Sequence, residues 1–276
     1  MSGSGPIGVF DSGVGGLSVW REIVRQLPHR DIVYLADQAH VPYGSRRLAE
    51  VRELSEGITH FLLDHGASII VVACNTASAA ALHHLRRTFP GVPFVGMEPA
   101  VKPAVERTGN GVVGVIATQA TFQGKLFASL VERYAGDVRV LTQVCPGLVE
   151  AVETGALNTA GTLALLREYL APLAEAGVDQ LVLGCTHYPF LRPAIEQIMG
   201  AGVAVIDPAP AVARQTARVL AQLGPESDQN IKADWIFHTS GDAAAFAATL
   251  ERLLSLPEKD LKVRPVHWCA GRICAG

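Results

Sequence analysis

Two cysteines stand at equivalent points of two similar stretches. Gly66 to Thr76 reads GASIIVVACNT and Gly177 to His187 reads GVDQLVLGCTH, each a glycine, a short apolar run and then a cysteine. The likeness extends outward. IGVFDS (Ile7 to Ser12) has its counterpart in VGVIAT (Val113 to Thr118), and Glu98-Pro99-Ala100 in Asp207-Pro208-Ala209. The order and spacing read as a duplication. If the halves face each other across a pseudo-twofold axis, Cys74 and Cys185 approach one cleft from opposite sides, and a molecule between them meets a thiol on each face. A thiolate is a good base and nucleophile, but a free thiol with a pKa of about 8.5 is mostly protonated near neutrality, so a helix N-terminus or a polar neighbour must activate it. Asn75-Thr76-Ala77-Ser78 and Thr186-His187-Tyr188 are placed to open such helices. An inert buried residue is the ordinary reading of one cysteine after an apolar strand. Two at matching positions argue against it.

Other reactive groups lie at similar points. Asp11-Ser12-Gly13-Val14-Gly15-Gly16 follows an apolar strand and opens a helix, yet it lacks the spacing and lysine of a phosphate loop. A carboxylate at its head repels phosphate and suits an ammonium group, and its glycines let the backbone come close to a ligand. The plainer reading makes Asp11 a helix cap and the glycines a tight turn. Pro42-Tyr43-Gly44 is a turn able to offer amide donors to a carboxylate, or simply a loop. Thr118 and Thr121 occupy the strand end that corresponds to Asp11, as ligand-binding hydroxyls or helix caps. His187, two residues from Cys185, is a general-acid candidate or a structural hydrogen-bonder. Glu153 is a carboxylate in an otherwise apolar helix start or a surface charge. Cys145 has no repeat partner and reads as packing. Cys269 and Cys274, near His267, lack the second ligand pair of a metal site.

The elements that carry these residues are short β-rich runs alternating with helical periods. Strands are predicted at 7–10, 32–35, 69–73, 92–96, 112–117, 181–183 and 203–206; stripes such as Leu17, Trp20, Val24, Leu27 and Leu163, Leu166, Leu170, Leu173 mark core-facing helices. Strands apolar on both faces predict an α/β fold with mainly parallel sheets, in which loops at the carboxyl ends build the site. The repeat predicts two lobes. The tail, with two helical patterns around Trp235 to Thr239, is too small for a separate domain and returns to the first lobe, which makes that lobe discontinuous: 1–98 plus 208–276, with 99–207 as the second.

Bulk properties narrow the classes. A chain of 276 residues, 49% hydrophobic, can bury one large or two ordinary cores. The formal charge of -3 and short basic runs, Arg46-Arg47 and His83 to Arg87, read as solvated helix faces and disfavour nucleic acid. No export signal or membrane span is legible. Five cysteines at irregular spacing suit free thiols in a reducing cytoplasm.

DSGVGG, PYG, ACNTAS, GMEPAVKPA, CPGLVEAVETG and GCTHYP, in this order to about Leu254, closely resemble the glutamate racemase family. The resemblance implies two α/β lobes with the active site between them, and cofactor-free interconversion of L- and D-glutamate, the D-isomer feeding peptidoglycan synthesis. It makes Cys74 and Cys185 the proton-transfer groups, assisted by Asp11, His187 and Glu153. Around the substrate it places Asp11, Ser12, Pro42, Tyr43, Gly44, Asn75, Thr76, Thr186 and His187. The chain departs from the family pattern at Glu150, where proline is expected, and at Gly124, where a small hydroxyl residue is common. The residue chemistry agrees, because inverting a carbon centre needs a proton removed from one face and one returned to the other. A pyridoxal enzyme would need a Schiff-base lysine, and the lysines are only Lys102, Lys125, Lys232, Lys259 and Lys262, none embedded in a motif beyond Lys102 beside Pro103. No metal is expected. Partners are a small-molecule substrate and neither nucleic acid nor membrane, with a homodimer left open. Racemisation of aspartate, a thiol hydrolase using Cys185 with His187, and a non-catalytic amino-acid binder remain alternatives.

Overall fold

The computed structural model describes residues 5–224, 233–256 and 261–275. Its elements in order are β1 (Ile7–Asp11), α1 (Leu17–Gln26), β2 (Ile32–Ala36), α2 (Leu48–Asp64), β3 (Ile69–Val72), α3 (Asn75–Thr88), β4 (Phe94–Gly96), α4 (Val101–Arg107), β5 (Val112–Ala117), α5 (Gln119–Gln123), α6 (Lys125–Tyr134), β6 (Arg139–Val144), α7 (Leu148–Glu153), α8 (Ala160–Glu175), β7 (Gln180–Gly184), α9 (Arg192–Met199), β8 (Ala204–Ile206), α10 (Ala209–Leu223), β9 (Trp235–Thr239), α11 (Ala243–Leu254), β10 (Lys262–Cys269) and β11 (Arg272–Ala275). The strands form two sheets, ordered β11-β10-β9-β2-β1-β3-β4 and β6-β5-β7-β8. All pairings are parallel except β10 with β11. The order β2-β1-β3-β4 repeats as β6-β5-β7-β8, which is the duplication expressed as topology.

Strand alternation explains the layering. In the first sheet Ile7, Val9, Ile32, Tyr34, Ile69 and Val71 share one core with Leu17, Trp20 and Ile23 of α1, while Phe10, Val33, Leu35, Ile70 and Val72 turn to the other face, against α2 and α3. The first core continues through Ile116, Leu181 and Leu183 into α7, α8 and α9 of the second lobe. The two lobes therefore share apolar packing on one side of the cleft. On the far face of the second sheet, Val113, Val115 and Val182 pack against α4 and α6.

Three strands lie outside the sequence expectation. β6 is an edge strand with no fully buried residue, so it lacks the apolar run that marks the others. β10 and β11 extend the first sheet through β9. The tail returns to the first sheet, β9 pairing with β2 and α10 lying on α1. Arg46 and Arg47 precede α2 instead of lying on a helix face, and Arg46 bonds Glu50 and the His40 carbonyl. Gly124 stands where α5 gives way to α6; a Cβ there would lie 2.8 Å from Ala79 Cβ. Glu150 is an exposed residue of α7.

Candidate active site

Cys74 follows β3 and is the N-cap of α3, its Sγ accepting the Ala77 N–H at 3.5 Å. A helix N-terminus is thus aimed at this sulfur. The second half differs from expectation, because Cys185 follows β7 but the next element is a 3₁₀ turn, Tyr188–Leu191, with α9 beginning only at Arg192. Proline at 189 and again at 193 removes amide donors that a regular helix from Thr186 would use. In place of a helix, Cys185 has His187 Nδ1 at 3.7 Å from its sulfur. Both cysteines are buried, and with Ser12, Pro42, Tyr43, Gly44, Asn75, Thr76, Thr118, Val149, Thr186 and His187 they line one small cavity. Its volume is about 10 Å³, room for about one water. The cleft is closed, and a glutamate-sized molecule requires the lobes to part. A roomier cavity of about 530 Å³, lined by Arg86, Glu98, Lys102 and Asp207 among others, contains none of the paired cysteines.

The closure is bonded across the lobes. Glu153 Oε1 accepts the Val14 N–H at 2.7 Å and His187 Nε2 at 2.6 Å, and Oε2 accepts Gln38 Nε2 at 3.0 Å. Thr186 Oγ1 donates to Asp11 Oδ2 at 3.2 Å. Thr76 Oγ1 lies 2.9 Å from Thr118 Oγ1, which lies 3.0 Å from that of Thr121. Thr118 heads α5 without capping it by its side chain, so its hydroxyl serves the cleft wall. The Glu153 side chain is only 10% exposed and is not a surface charge.

The glycines of DSGVGG have a role different from the expected one. A Cβ on Gly13 would lie 1.9 Å from Glu153 Oε1, and one on Gly15 would lie 2.3 Å from His187 Nδ1. Their absent side chains admit the second lobe's carboxylate and imidazole against the first lobe's backbone, rather than a ligand. Asp11 does cap this loop, its Oδ1 accepting Ser12 N at 2.7 Å and Oδ2 accepting Gly16 N at 2.6 Å. The Tyr43 hydroxyl is donated to Asp37 at 2.7 Å. Asn75 keeps both amide atoms buried without a protein partner among the described residues. A buried amide left this way is costly unless a ligand completes it, so both polar atoms of Asn75 are available to a molecule in the cavity.

Electrostatics distinguish the two sides. Burial, then the charge and hydrogen bond of Asp11, push the Cys74 thiol well above its ordinary value. Burial likewise raises the Asp11 carboxyl, against the pull of His187 and Cys74. On the other side burial would lower His187, but hydrogen bonds and charge from Cys185 and Glu153 overcome it and hold the imidazole well above the usual histidine range. Glu153 is lowered, the His187 cation and the bonds from Gln38 and Val14 outweighing burial. Thus a thiol with a carboxyl neighbour faces a cysteine with an imidazolium neighbour. Cys145 is buried, does not line the cavity between the paired cysteines, and is raised to about 12 by burial and the Cys185 charge.

Sequence reading missed Val149, Asp37 and Gln38. A carboxylate directly after a parallel strand was the available signal for Asp37, but its neighbours are distant in sequence. Among the described residues no three His, Cys, Asp or Glu converge as a metal site, and no helix is long and apolar enough to cross a membrane.

A profile of the Asp/Glu/Hydantoin racemase family matches residues 7–216. The chain is 53% identical to a glutamate racemase of Herpetosiphon aurantiacus over 245 residues, 88% of this chain and 95% of the relative. With a glutamate racemase of Pseudomonas paraeruginosa it shares 50% over 265 residues, 96% and 94% of the two chains. The structure superposes on a glutamate racemase isoform of Bacillus anthracis with a TM-score of 0.86 at 33% identity, covering 97% of this chain and 98% of that one. Escherichia coli glutamate racemase, solved with L-glutamate and the activator UDP-MurNAc-ala, gives 0.82 at 32%, covering 94% and 98%. These matches, over a two-lobed α/β fold with a thiol on each side of its cleft, establish that the chain belongs to the Asp/Glu/Hydantoin racemase family and, within it, to the glutamate racemases, which are amino-acid isomerases.

Proposed function

We propose that the protein interconverts L- and D-glutamate without a cofactor, Cys74 and Cys185 acting on opposite faces of the α-carbon. The observation that carries this reading is the asymmetric pairing, Cys74 with the Asp11 carboxyl and Cys185 with the His187 imidazolium. A substrate ammonium suits Asp11, and the α-carboxylate suits amide donors of the 42–44 turn and Asn75. With L-glutamate bound, Cys185 as thiolate takes the α-proton while Cys74 as thiol delivers one to the other face. The resulting state, Cys74 thiolate and Cys185 thiol, is the one that acts on D-glutamate. Microscopic reversibility then requires the same two groups in both directions. The α-hydrogen of an amino acid is weakly acidic, so donors aimed at the substrate carboxylate and exclusion of water by the closed lobes must stabilise the carbanionic transition state.

The relatives that hold L-glutamate or D-glutamate in their structures support glutamate as the substrate. The supply of D-glutamate for peptidoglycan from a cytoplasmic enzyme belongs to this proposal, as do the lobe boundaries 1–98 plus 208–276 and 99–207. The Cys185–His187–Glu153 chain has the order of a thiol hydrolase relay, but a hydrolase has no use for the facing Cys74 and its carboxyl partner. The test is circular dichroism of D-glutamate incubated with the pure protein. The signal is expected to decay to zero, to do so after dialysis against chelator and hydroxylamine treatment, and to persist after thiol alkylation. Activity lost to chelator and restored by a divalent metal would refute the cofactor-free reading.

A further inference from the structure

We infer that the carboxy-terminal hairpin, β10 with β11, is a positioning element of the active site, acting through Trp268, Asp37 and Tyr43. The inference rests on the reading that the 42–44 turn binds substrate. Asp37 follows β2 and is fully buried. Its Oδ1 accepts Trp268 Nε1 and Ser240 Oγ, each at 2.7 Å, and its Oδ2 accepts the Tyr43 hydroxyl at 2.7 Å, with His40 Nδ1 3.0 Å away. One carboxylate thus gathers donors from the 40–43 loop, from the end of β9 and from the hairpin. Its backbone N–H donates to the Asp11 carbonyl at 3.0 Å, so the same residue is fastened to the strand end that carries Asp11. Tyr43 opens the short turn Tyr43–Ser45 and lines the cavity with Pro42 and Gly44.

Among the described residues Trp268 is the donor that the hairpin supplies to this group, and its seat is prepared by Gly57 of α2. A Cβ at Gly57 would lie 2.6 Å from the Gly271 carbonyl and 2.8 Å from Trp268 Cζ3. The indole also meets the His40 ring edge-on at 5.2 Å between centroids. A buried carboxylate that loses one donor must be resatisfied by its neighbours or pull them out of place. Removing the indole N–H therefore frees the loop whose amides meet the substrate, while both cysteines and their partners stay untouched.

The experiment is steady-state kinetics in both directions on Trp268→Phe, Tyr43→Phe, the double variant and Gly57→Ala, with Cys74→Ser measured separately as the test of the underlying chemistry. Trp268→Phe is expected to raise KM for both enantiomers about three- to tenfold, with kcat changed far less, as partial loss of one charge-assisted bond implies. Gly57→Ala, which displaces the hairpin without touching Asp37, should do the same. In the Tyr43→Phe background Trp268→Phe should change KM little further, because the path is already cut. A fall in kcat at constant KM would show that the hairpin only sustains folding and would overturn the inference. Additive effects of Trp268→Phe and Tyr43→Phe, or parental KM values in Trp268→Phe and Gly57→Ala, would overturn it too. An active Cys74→Ser variant would refute the two-thiol reading instead.

Discussion

Replacing Glu153 by glutamine tests how far the second-lobe relay governs catalysis. The substitution keeps the shape of the side chain and its place at the end of α7 but removes the charge opposite His187 Nε2, 2.6 Å away. The pair is nearly enclosed, with side-chain exposures of 2% for His187 and 10% for Glu153. Hydrogen bonds to charged groups contribute about 1.5–3 kcal/mol each, and every 1.36 kcal/mol is a factor of ten. With the amide oxygen in the place of Oε1, the His187 and Val14 bonds lose their charge assistance and the Gln38 donor meets an NH2 in the place of Oε2, which should lower kcat/KM about 10- to 100-fold. Because the enantiomers have equal free energy, kcat/KM must fall by the same factor in both directions, while the two kcat values can separate. The sign of the pH effect also follows. Glu153 raises His187, so without its charge the imidazolium deprotonates at lower pH, and the basic limb of the pH profile should move down. The assay is circular dichroism of each enantiomer from pH 6 to about 10. Unchanged kcat/KM and an unmoved basic limb would refute the relay.

Other outcomes follow from the same geometry. Gly13→Ala places a methyl 1.9 Å from Glu153 Oε1, so the carboxylate must move and kcat/KM should fall about tenfold or more through lost closure bonds; parental turnover would contradict the closure role of these glycines. His238 is buried with both ring nitrogens unpartnered among the described residues, and is lowered to about 4 by burial, then by His65 and Arg264. Its folded pKa lies below its unfolded value of about 6.5, so its effect is absent above that pH and costs stability as pH falls toward 4. The cost reaches at most about 3 kcal/mol. Urea unfolding of the parent and His238→Phe should diverge between pH 7.5 and 5, and a constant difference would refute this.

Much of this was legible in the sequence because it is local. The apolar runs before Cys74 and Cys185 are fully buried parallel strands, and the repeat placed both cysteines at strand ends before any fold was known. The same repeat could have located β6, since β2 demands a counterpart after β5, but an edge strand reading RVLTQV carries no continuous apolar signal. Asp37, Gln38 and Trp268 were not legible for a different reason. Their roles are defined by partners 115 to 231 residues away, and neither residue type nor spacing encodes which buried carboxylate a tryptophan will meet. The glycines at 13 and 15 were visible as glycines, but what they accommodate lies in the other lobe.

The central claim is that two thiols work on opposite faces of one carbon. The direct measurement is solvent deuterium entering the α-position during the first few per cent of reaction in D₂O, read by mass spectrometry of the separated enantiomers for the parent protein and for Cys74→Ser and Cys185→Ser. With two bases, the product enantiomer should carry deuterium while recovered substrate stays protiated, and either serine variant should abolish or nearly abolish racemisation. Deuterium appearing in recovered substrate as fast as in product, or racemisation at the parental rate in either variant, would contradict the account.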